Sequence, residues 1–358
     1  MRALVLTGHG DLSQLEVSEV EQPVVQQPDD VRVRVYSAAL NHLDLWTLKG
    51  LPGVSLRFPH TLGGDGAGVV EEVGSGVESL AVGDQVLLNP GLSCTRCEYC
   101  TAGKDPLCPS YRLLGEHVNG TVAEQIVVPA ANAVPIPVIP EGHPPLSWVE
   151  AGSYGLVGLT AWRMLAHRAK VRAGETVLVW GVGGGVSGMA LKIAKLMGAT
   201  VVVTSSSDAK LRVAESWGAD HTINHATEDV VARVREITGR RGVDLVVENV
   251  GEATWDRSLR ALSRGGRLVT CGATTGPTVT IDVRRLFWYQ WDILGSTMGG
   301  REDFDEAVRL LAEDRLRPAI DSVFSLERSV EAVARLASGD QMGKIAIAIH
   351  AEAESSAM

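Results

Sequence analysis

The stretch from Thr176 to Gly188, TVLVWGVGGGVSG, decides the fold. An apolar strand from Thr176 to Trp180 leads directly into a glycine-rich turn, and a helical pattern from Val186 to Met197 follows. A turn without Cβ atoms lets a pyrophosphate approach the N–H groups and positive dipole at a helix start. This order predicts a dinucleotide site made of Gly181, Gly183, Gly184, Gly185, Val186 and Ser187. The G-x-G-x-x-G string fits from Gly183, but Gly181 lies nearer the strand, so the frame stays open.

The alternation of strands and helices continues on the C-terminal side of this turn. Apolar runs at 200–204, 243–247 and 267–271 predict strands, and the patterns at 208–217, 228–237 and 254–262 predict helices. Such a series gives a doubly wound parallel sheet, because each right-handed crossover needs a helix. The first 150 or so residues instead show short strands of period two, such as Val31 to Val35, which predict a mostly β domain. The alternating run from Lys344 to Ile349 is expected to return to that domain.

The tip of the second strand of the series indicates which cofactor binds. An NAD enzyme places a carboxylate there on the ribose hydroxyls, whereas this chain has Thr204, Ser205 and Ser206, with Lys210 about one helical turn further on. Hydroxyls and an ammonium accept a 2′-phosphate that a carboxylate would repel. We therefore expect NADP, with NAD still open. The alternative is a simple helix cap, for which Asp208 is the favoured residue.

Four cysteines lie within a short segment of the first domain. Cys94, Cys97, Cys100 and Cys108 have the spacing of a tetrahedral zinc site, and four thiolates leave no open position on the metal. We predict one structural zinc per chain; free or disulfide-linked cysteines are the alternative.

The charge balance excludes other partners. The chain has 33 Lys and Arg residues and 43 Asp and Glu residues, which gives a net charge of −10. Neither nucleic acid nor an anionic membrane is therefore an expected partner. No segment has the length and apolarity of a membrane span or a signal peptide, so a cytoplasmic protein is expected.

These features together resemble the medium-chain dehydrogenase/reductase superfamily, which contains zinc alcohol dehydrogenases and quinone oxidoreductases. The resemblance is based on the cysteine segment, the glycine turn, Gly63 to Val70, Gly83 to Val86, Leu159 to Trp162, and Gly343-Lys344. It implies an α/β fold with a GroES-like catalytic domain at 1–153, including the cysteine lobe at 94–108. A Rossmann-type dinucleotide domain at 154–298 and a return to the catalytic domain at 299–358 complete the expected organisation.

The resemblance breaks at the catalytic zinc. Gly64 stands where zinc alcohol dehydrogenases have a histidine ligand, Asn41 replaces the first cysteine, and Leu156 or a neighbour replaces the second. Asp65 and His42 alone are too few ligands, so we expect no catalytic zinc. The Asn41-x-x-Asp44 pattern resembles zinc-free quinone and enone reductases. We therefore expect an NADPH-dependent enzyme that reduces a small-molecule quinone or α,β-unsaturated carbonyl, with Asn41 as oxyanion donor, His42 as proton source and Asp44 orienting the loop.

The resemblance also implies contacts to the nicotinamide half of the cofactor and an oligomeric state. The cofactor-contacting residues are Asn249, Gly272, Ala273, Thr274, Ser296 and Thr297. A homodimer or homotetramer is expected, with the sheet edge near Leu294 as one candidate interface. Two other functions remain open: an alcohol dehydrogenase whose zinc is held by His42, His60 and Asp65, and a non-catalytic NADPH-binding sensor.

Overall fold

The computed structural model describes residues 1–355 of the chain, which form two compact units. Unit 1 comprises Met1–Val157 and the segment from Gly299 onward, and unit 2 comprises Gly158–Met298. The boundary expected after residue 153 lies after Val157.

Eighteen strands are present in the described residues. They are β1 (Arg2–Leu6), β2 (Leu15–Glu19), β3 (Asp30–Ala39), β4 (His60–Thr61), β5 (Asp65–Val73), β6 (Gln85–Leu88), β7 (Gly91–Leu92), β8 (Arg112–Leu113), β9 (Gln125–Pro129), β10 (Ala133–Pro135), β11 (Thr176–Val179), β12 (Thr200–Ser205), β13 (His221–Asn224), β14 (Val243–Glu248), β15 (Leu262–Thr270), β16 (Asp292–Gly295), β17 (Ile320–Ser325) and β18 (Lys344–Ala348).

Twelve α-helices occur in the same part of the chain. They are α1 (His42–Lys49), α2 (Glu98–Thr101), α3 (Trp148–Ala151), α4 (Gly155–Trp162), α5 (Gly185–Leu196), α6 (Asp208–Ser216), α7 (Val230–Ile237), α8 (Trp255–Ala261), α9 (Val283–Tyr289), α10 (Arg301–Ala312), α11 (Ser329–Ser338) and α12 (Ala351–Ser355). Short 3₁₀ helices lie at Leu12–Gln14, Asp105–Leu107, Ala130–Asn132 and Leu326–Arg328, and a π-helical segment at Arg163–Ala169.

Unit 2 is the predicted doubly wound domain. Its six strands are all parallel, in the order β13-β12-β11-β14-β15-β16, so the first strand of the series lies in the middle. Residues 177–179 of β11 are completely buried, as strands covered on both faces must be. The prediction missed β13, whose sequence HTIN is short and polar at its start.

Unit 1 is mostly β, as predicted. Its largest sheet has the order β10-β6-β5-β3-β18-β17, with β9 also paired to β3. The C-terminal strand β18 pairs antiparallel with β3 through Ala346 and Ala39, which places residue 344 near the end of β3. The long strand β3 places alternate valines, Val31, Val33 and Val35, in the unit's core. No helix among residues 1–355 is long and apolar enough to cross a membrane.

Candidate functional site

The glycine turn of unit 2 lies at the carboxyl end of the central strand. Gly181 has a φ of +62°, and a Cβ placed there would meet no atom within 4 Å, so the turn borders open space. The N–H of Gly181 donates to the Thr204 hydroxyl at 3.2 Å, and the Ser187 hydroxyl donates to the Trp180 carbonyl at 2.9 Å. The first N–H groups of α5, from Gly185 onward, have no intrahelical acceptors. These residues fit the pyrophosphate of a dinucleotide.

The tip of β12 differs from the expectation in two respects. Thr204 is completely buried, and its hydroxyl accepts the N–H of Gly181 in the glycine turn. Ser205 is also buried, and its hydroxyl accepts the N–H of Ser207 at 3.1 Å. Ser206 is exposed and Lys210 lies in the first turn of α6. The prediction that Asp208 caps this helix was wrong, because Ser207 is its N-cap.

The loops that follow β14, β15 and β16 lie at the same edge of the sheet. Asn249 donates from Nδ2 to the Ser187 hydroxyl at 2.8 Å, and the Thr274 hydroxyl donates to the Asn249 carbonyl at 2.9 Å. A Cβ on Gly272 would lie 3.0 Å from that same carbonyl, and Ala273 follows in the same loop. These contacts bring the predicted nicotinamide-side residues next to the glycine turn.

The next loop supplies a polar atom without a partner. The N–H of Ser296 donates to the Thr270 carbonyl at 2.8 Å, which fixes the loop after β16. Its buried hydroxyl has no hydrogen-bond partner in the described part of the chain, and Thr297 beside it is exposed. An orphaned buried hydroxyl at this edge is a group that a bound cofactor amide can satisfy.

The start of α1 in unit 1 positions the candidate catalytic loop. Asn41 is the N-cap of this helix, and its backbone N–H donates to Asp44 Oδ2 at 2.7 Å. The other oxygen of Asp44 accepts the N–H of Gly63 at 2.9 Å, so this carboxylate ties the loop to the strand connection before β5. Burial raises the pKa of Asp44 to about 6, although the two N–H groups and Lys344 act in the opposite direction.

Asp65 lies at the centre of a buried polar cluster. Lys344 donates from Nζ to Asp65 Oδ2 at 2.9 Å, to Asn41 Oδ1 at 2.5 Å and to the Leu40 carbonyl at 2.7 Å. Asn41 Nδ2 also donates to Asp65 Oδ2 at 2.9 Å. The other oxygen of Asp65 accepts the N–H of Leu156 at 2.5 Å. Lys344 and Asp65 are 3% and 0% exposed, so this is a fully desolvated ion pair with its hydrogen bonds satisfied.

The residues around Gly64 do not fit a second metal. A Cβ on Gly64 would lie only 3.0 Å from the Leu156 side chain and 3.5 Å from the Leu114 carbonyl, so an apolar side chain occupies this position. His60 is buried, with its Nε2 3.2 Å from the Gly115 carbonyl. The alternative ligand set of His42, His60 and Asp65 is not brought together: in residues 1–355 the four cysteines are the one such cluster whose ligand atoms converge.

The ring of His42 is half-buried on α1. It packs edge-on against Trp46 with 5.2 Å between ring centroids. Burial, and secondarily Lys49, lowers the pKa of His42 below its ordinary value. The ring is therefore neutral at physiological pH, and the expected role of His42 as a proton source requires it to be charged or to relay a proton.

The four cysteines of unit 1 form a compact cluster. Their sulfur atoms all lie within 4.8 Å of one another, with 3.9 Å between Cys94 and Cys100 and 3.4 Å between Cys97 and Cys100. A tetrahedron with Zn–S bonds of about 2.3 Å has S···S edges of about 3.8 Å, so the cluster fits zinc. Backbone N–H groups of Arg96 and Cys97 lower the pKa of the Cys94 thiol to about 6, which favours the thiolate that a metal needs.

The cysteine lobe is anchored to helix α10 of the same unit. Asp105, which lies between the third and fourth cysteines, accepts the Ser93 hydroxyl at 2.9 Å and the backbone N–H of Arg301 at 3.2 Å. The carboxylate thus satisfies an N–H group in the first turn of α10. Four thiolates would leave no open position on a tetrahedral metal bound here.

Comparison with known proteins agrees with this architecture. Residues 27–138 match the alcohol dehydrogenase GroES-like domain, and residues 185–313 match the zinc-binding dehydrogenase family. An alcohol dehydrogenase of Geobacillus stearothermophilus is 32% identical over 336 residues, which cover 93% of this chain and 95% of the relative. The chain belongs to the medium-chain dehydrogenase/reductase superfamily. It is therefore an oxidoreductase with the two domain types of that superfamily.

Solved structures of the superfamily show the same fold. A crystal structure of an NAD-dependent alcohol dehydrogenase superimposes with a TM-score of 0.92 at 43% identity, covering 98% of this chain and 100% of that one. A 2-octenoyl-CoA carboxylase reductase in complex with NADP and 2-octenoyl-CoA has a TM-score of 0.87 at 29% identity, covering 97% and 87%. The superfamily members similar to this chain therefore include both alcohol dehydrogenases and a reductase.

Sequence reasoning missed Lys344 as a site residue. The residue was part of the Gly343-Lys344 resemblance, but its partner Asp65 is 279 residues away. A lysine at the head of the otherwise apolar strand KIAIA is the signal that pointed to it, because a lone charge in a buried strand needs a partner.

Proposed function

We propose that this superfamily member is an NADPH-dependent reductase of activated carbonyl acceptors, quinones or α,β-unsaturated carbonyls, which works without a catalytic zinc. The observation that supports it is the cluster around Asp65. Its carboxylate already accepts Lys344, Asn41 and the N–H of Leu156, and the Leu156 side chain covers Gly64. No convergent set of three donors remains there for a metal.

A site beside Asp65 that offers no convergent ligand set for a Lewis-acid metal favours some reactions over others. Nothing in the cluster lowers the pKa of an unactivated alcohol, so oxidation of such an alcohol is disfavoured. A quinone or an enone accepts hydride readily, provided that the negative charge on its oxygen is stabilised by hydrogen bonds. A nicotinamide cofactor bound at the glycine turn of unit 2 would supply that hydride.

Asn41 is suited to be the oxyanion donor. Lys344 can only donate, so its contact assigns the accepting atom as Oδ1 and leaves Nδ2 as the donor side of the amide. One hydrogen of Nδ2 is used by Asp65 at 2.9 Å, whereas the second has only a long contact of 3.5 Å to the Ala39 carbonyl. The second N–H is therefore available to an acceptor oxygen, and the ion pair holds the amide in place.

Polar groups at the tip of β12 and the start of α6 support NADPH as the cofactor. Ser206 is exposed and Lys210 lies at the start of α6, while no carboxylate occupies the strand end. A 2′-phosphate is favoured by a hydroxyl, an ammonium and a helix N-terminus in one place. NAD is the competing cofactor, because the similar structure named above is described as NAD-dependent.

A turnover assay tests the proposal. NADPH consumption is followed with a panel of quinones, enones and matched saturated ketones, before and after incubation with a zinc chelator. We expect at least one activated acceptor to be reduced roughly 100-fold faster than its saturated counterpart, with no immediate loss on chelation. Faster turnover of a saturated ketone or an alcohol that the chelator abolishes would overturn the proposal.

The names of the relatives favour alcohol dehydrogenase as the second candidate function. The same assay run in the direction of alcohol oxidation distinguishes it. A protein that binds NADPH but turns over no substrate in either direction would instead be the non-catalytic sensor.

We also propose that two copies of the chain pair through β16. This strand lies at the edge of the unit 2 sheet, and the nearby helix α9 exposes Phe287 and Trp288. Arg168 donates to the Gly295 carbonyl at one end of the strand, while the exposed Asp292 lies at the other end. Antiparallel two-fold pairing brings Asp292 of one copy near Arg168 of its partner, so the edge is complementary to itself.

A further inference from the structure

Two aromatic side chains of unit 2 meet at the carboxyl end of β12. His225 directly follows β13, and its N–H donates to the carbonyl of Ser205, the last residue of β12, at 3.0 Å. Trp180 directly follows β11, which lies on the other side of β12, and the centroids of the two rings are 6.0 Å apart. Neighbouring strands are about 4.8 Å apart, so β11 and β13 are separated by roughly twice that distance. The two side chains therefore reach toward each other across the end of β12.

A third side chain joins them from helix α8. Arg257 places its guanidinium carbon 5.1 Å from the centroid of the Trp180 ring, and its Nη2 donates to the Ala253 carbonyl at 2.9 Å. Burial, and secondarily the charge of Arg257, lowers the pKa of His225, so these two side chains lie within electrostatic reach of each other. We call Trp180, His225 and Arg257 the β12-end cluster.

Two polar atoms of the β12-end cluster are buried without a hydrogen-bond partner in the part of the chain that the structure describes. They are Nδ1 of His225 and Nε1 of Trp180. Trp180 is only 1% exposed, so its indole N–H is removed from bulk water. A buried polar group without a partner costs free energy, and a ligand that bonds to it offsets that cost. These atoms indicate that the cluster is part of a ligand site.

The acidic side chains around the same edge of the sheet have partners of their own. Asp208, at the start of α6, accepts Asn224 Nδ2 at 2.6 Å, and Glu228 accepts the N–H of Asn224 at 2.8 Å. Glu248, at the end of β14, is completely buried and accepts two side-chain hydroxyls and two backbone N–H groups. In residues 1–355 the guanidinium of Arg257 contacts an aromatic face and a carbonyl oxygen, and no carboxylate neutralises its charge. The cluster therefore favours an anionic ligand.

The position of the β12-end cluster indicates which anion it would meet. A dinucleotide bound at the glycine turn has its adenosine ribose at the end of the second strand of the series, which is β12. We propose that Arg257 and His225 bind the 2′-phosphate of NADPH, while Trp180 holds the guanidinium in place. Selection of NADPH would then depend on α8 and on the end of β13, in addition to the tip of β12. This inference rests on the proposed function, and specifically on NADPH as its cofactor.

Binding of cofactor fragments tests the inference without turnover. Adenosine 2′,5′-bisphosphate carries the 2′-phosphate but no nicotinamide, and 5′-AMP is the matched fragment without the 2′-phosphate. Isothermal titration calorimetry gives the Kd of each fragment for the wild type, Arg257→Met, Arg257→Lys and His225→Leu. The control variant is Arg260→Met, because Arg260 is exposed on the same helix and pairs with Asp256.

We expect the wild type to bind the bisphosphate at least about 10-fold more tightly than 5′-AMP. Arg257→Met keeps the apolar stem of the side chain but removes its charge, so it should weaken bisphosphate binding about 10-fold. His225→Leu should weaken it about 3-fold, and both variants should bind 5′-AMP within about twofold of the wild type. Arg257→Lys should retain part of the preference for the bisphosphate, and Arg260→Met should behave as the wild type.

Two results would overturn the inference. The first is an Arg257→Met variant that prefers the bisphosphate as strongly as the wild type does. The second is an equal loss of affinity for both fragments, which would indicate that Arg257 contacts the adenine ring or only packs on Trp180. If thermal unfolding shows that Arg257→Met does not fold, Arg257→Lys and His225→Leu decide the question, because each must lower the preference for the bisphosphate.

Failure of the proposed function has a different signature. A wild-type protein that binds 5′-AMP as tightly as the bisphosphate does not select NADPH, which refutes the cofactor of the proposed function together with this inference. If the wild type prefers the bisphosphate but reduces no quinone or enone, the proposed reaction is wrong. The role of Arg257 and His225 is then still decided by the Kd values of the two fragments.

Discussion

Replacing Lys344 with methionine should strongly destabilise unit 1. Methionine keeps the length and apolar stem of lysine but removes the ammonium that contacts Asp65, Asn41 and the Leu40 carbonyl. Asp65 is completely buried, so its carboxylate would lose its counter-charge in a desolvated place. Removing one partner of a buried ion pair costs about 3–5 kcal/mol. The two remaining donors to Asp65, from Asn41 and Leu156, favour the lower part of that range.

A double-mutant cycle in urea measures this effect. The free energy of unfolding is compared for the wild type, Lys344→Met, Asp65→Asn and the double variant. We expect the double variant to recover at least about 1.5 kcal/mol relative to Lys344→Met, because no buried charge is left unpaired. A loss below about 1 kcal/mol in Lys344→Met, or a double variant as unstable as the sum of the single ones, would refute the reasoning.

Four further predictions concern separate parts of the molecule. Lys210→Ala should weaken NADPH binding about 10-fold and leave NADH binding unchanged, with the exposed Arg212→Ala on the same helix as control, measured by fluorescence titration. Glu116→Gln should raise the free energy of unfolding by up to about 3 kcal/mol at pH 8 but not below pH 4.5. The reason is that burial raises the pKa of this carboxyl from its ordinary 4.5 to about 7, so the stability of the wild type falls as pH rises through that range. Cys97→Ser should release zinc and lower the melting temperature, as elemental analysis and calorimetry would show. Asp292→Arg at the exposed end of β16 should convert a dimer to a monomer in light scattering, because it places a positive charge opposite the partner's Arg168, and should change the melting temperature of the monomer by no more than a few degrees.

Much of unit 2 could be predicted because local sequence determines it. The strand, glycine turn and helix at 176–196 follow from periodicity and from the absence of Cβ atoms in the turn. The strands β13 and β17 were missed because their sequences, HTIN and IDSVFS, have neither a clear apolar run nor strict alternation. The pairing of such short strands depends on neighbours distant in sequence.

Residues of the candidate site could be predicted only where their spacing along the chain is itself typical of a binding site. Four cysteines within one segment can be recognised without a structure, and their convergence agrees with the prediction. The role of Asp65 could not be deduced, because its counter-ion Lys344 arrives from the other end of unit 1 through the pairing of β18 with β3. Thr204 shows a second limit: burial of its hydroxyl against the glycine turn is a tertiary property that strand periodicity does not specify.

The zinc content of the active protein tests the central claim most directly. Protein is purified without chelator and is shown to reduce an activated acceptor. Its zinc content is then measured by elemental analysis, together with that of the variant Cys94→Ser/Cys97→Ser. One zinc per chain in the parent and none in the variant is the predicted result, since the cysteine lobe provides the one convergent ligand set among residues 1–355. Two zinc ions per chain, falling to one in the variant, would contradict the account and restore a metal-dependent alcohol dehydrogenase.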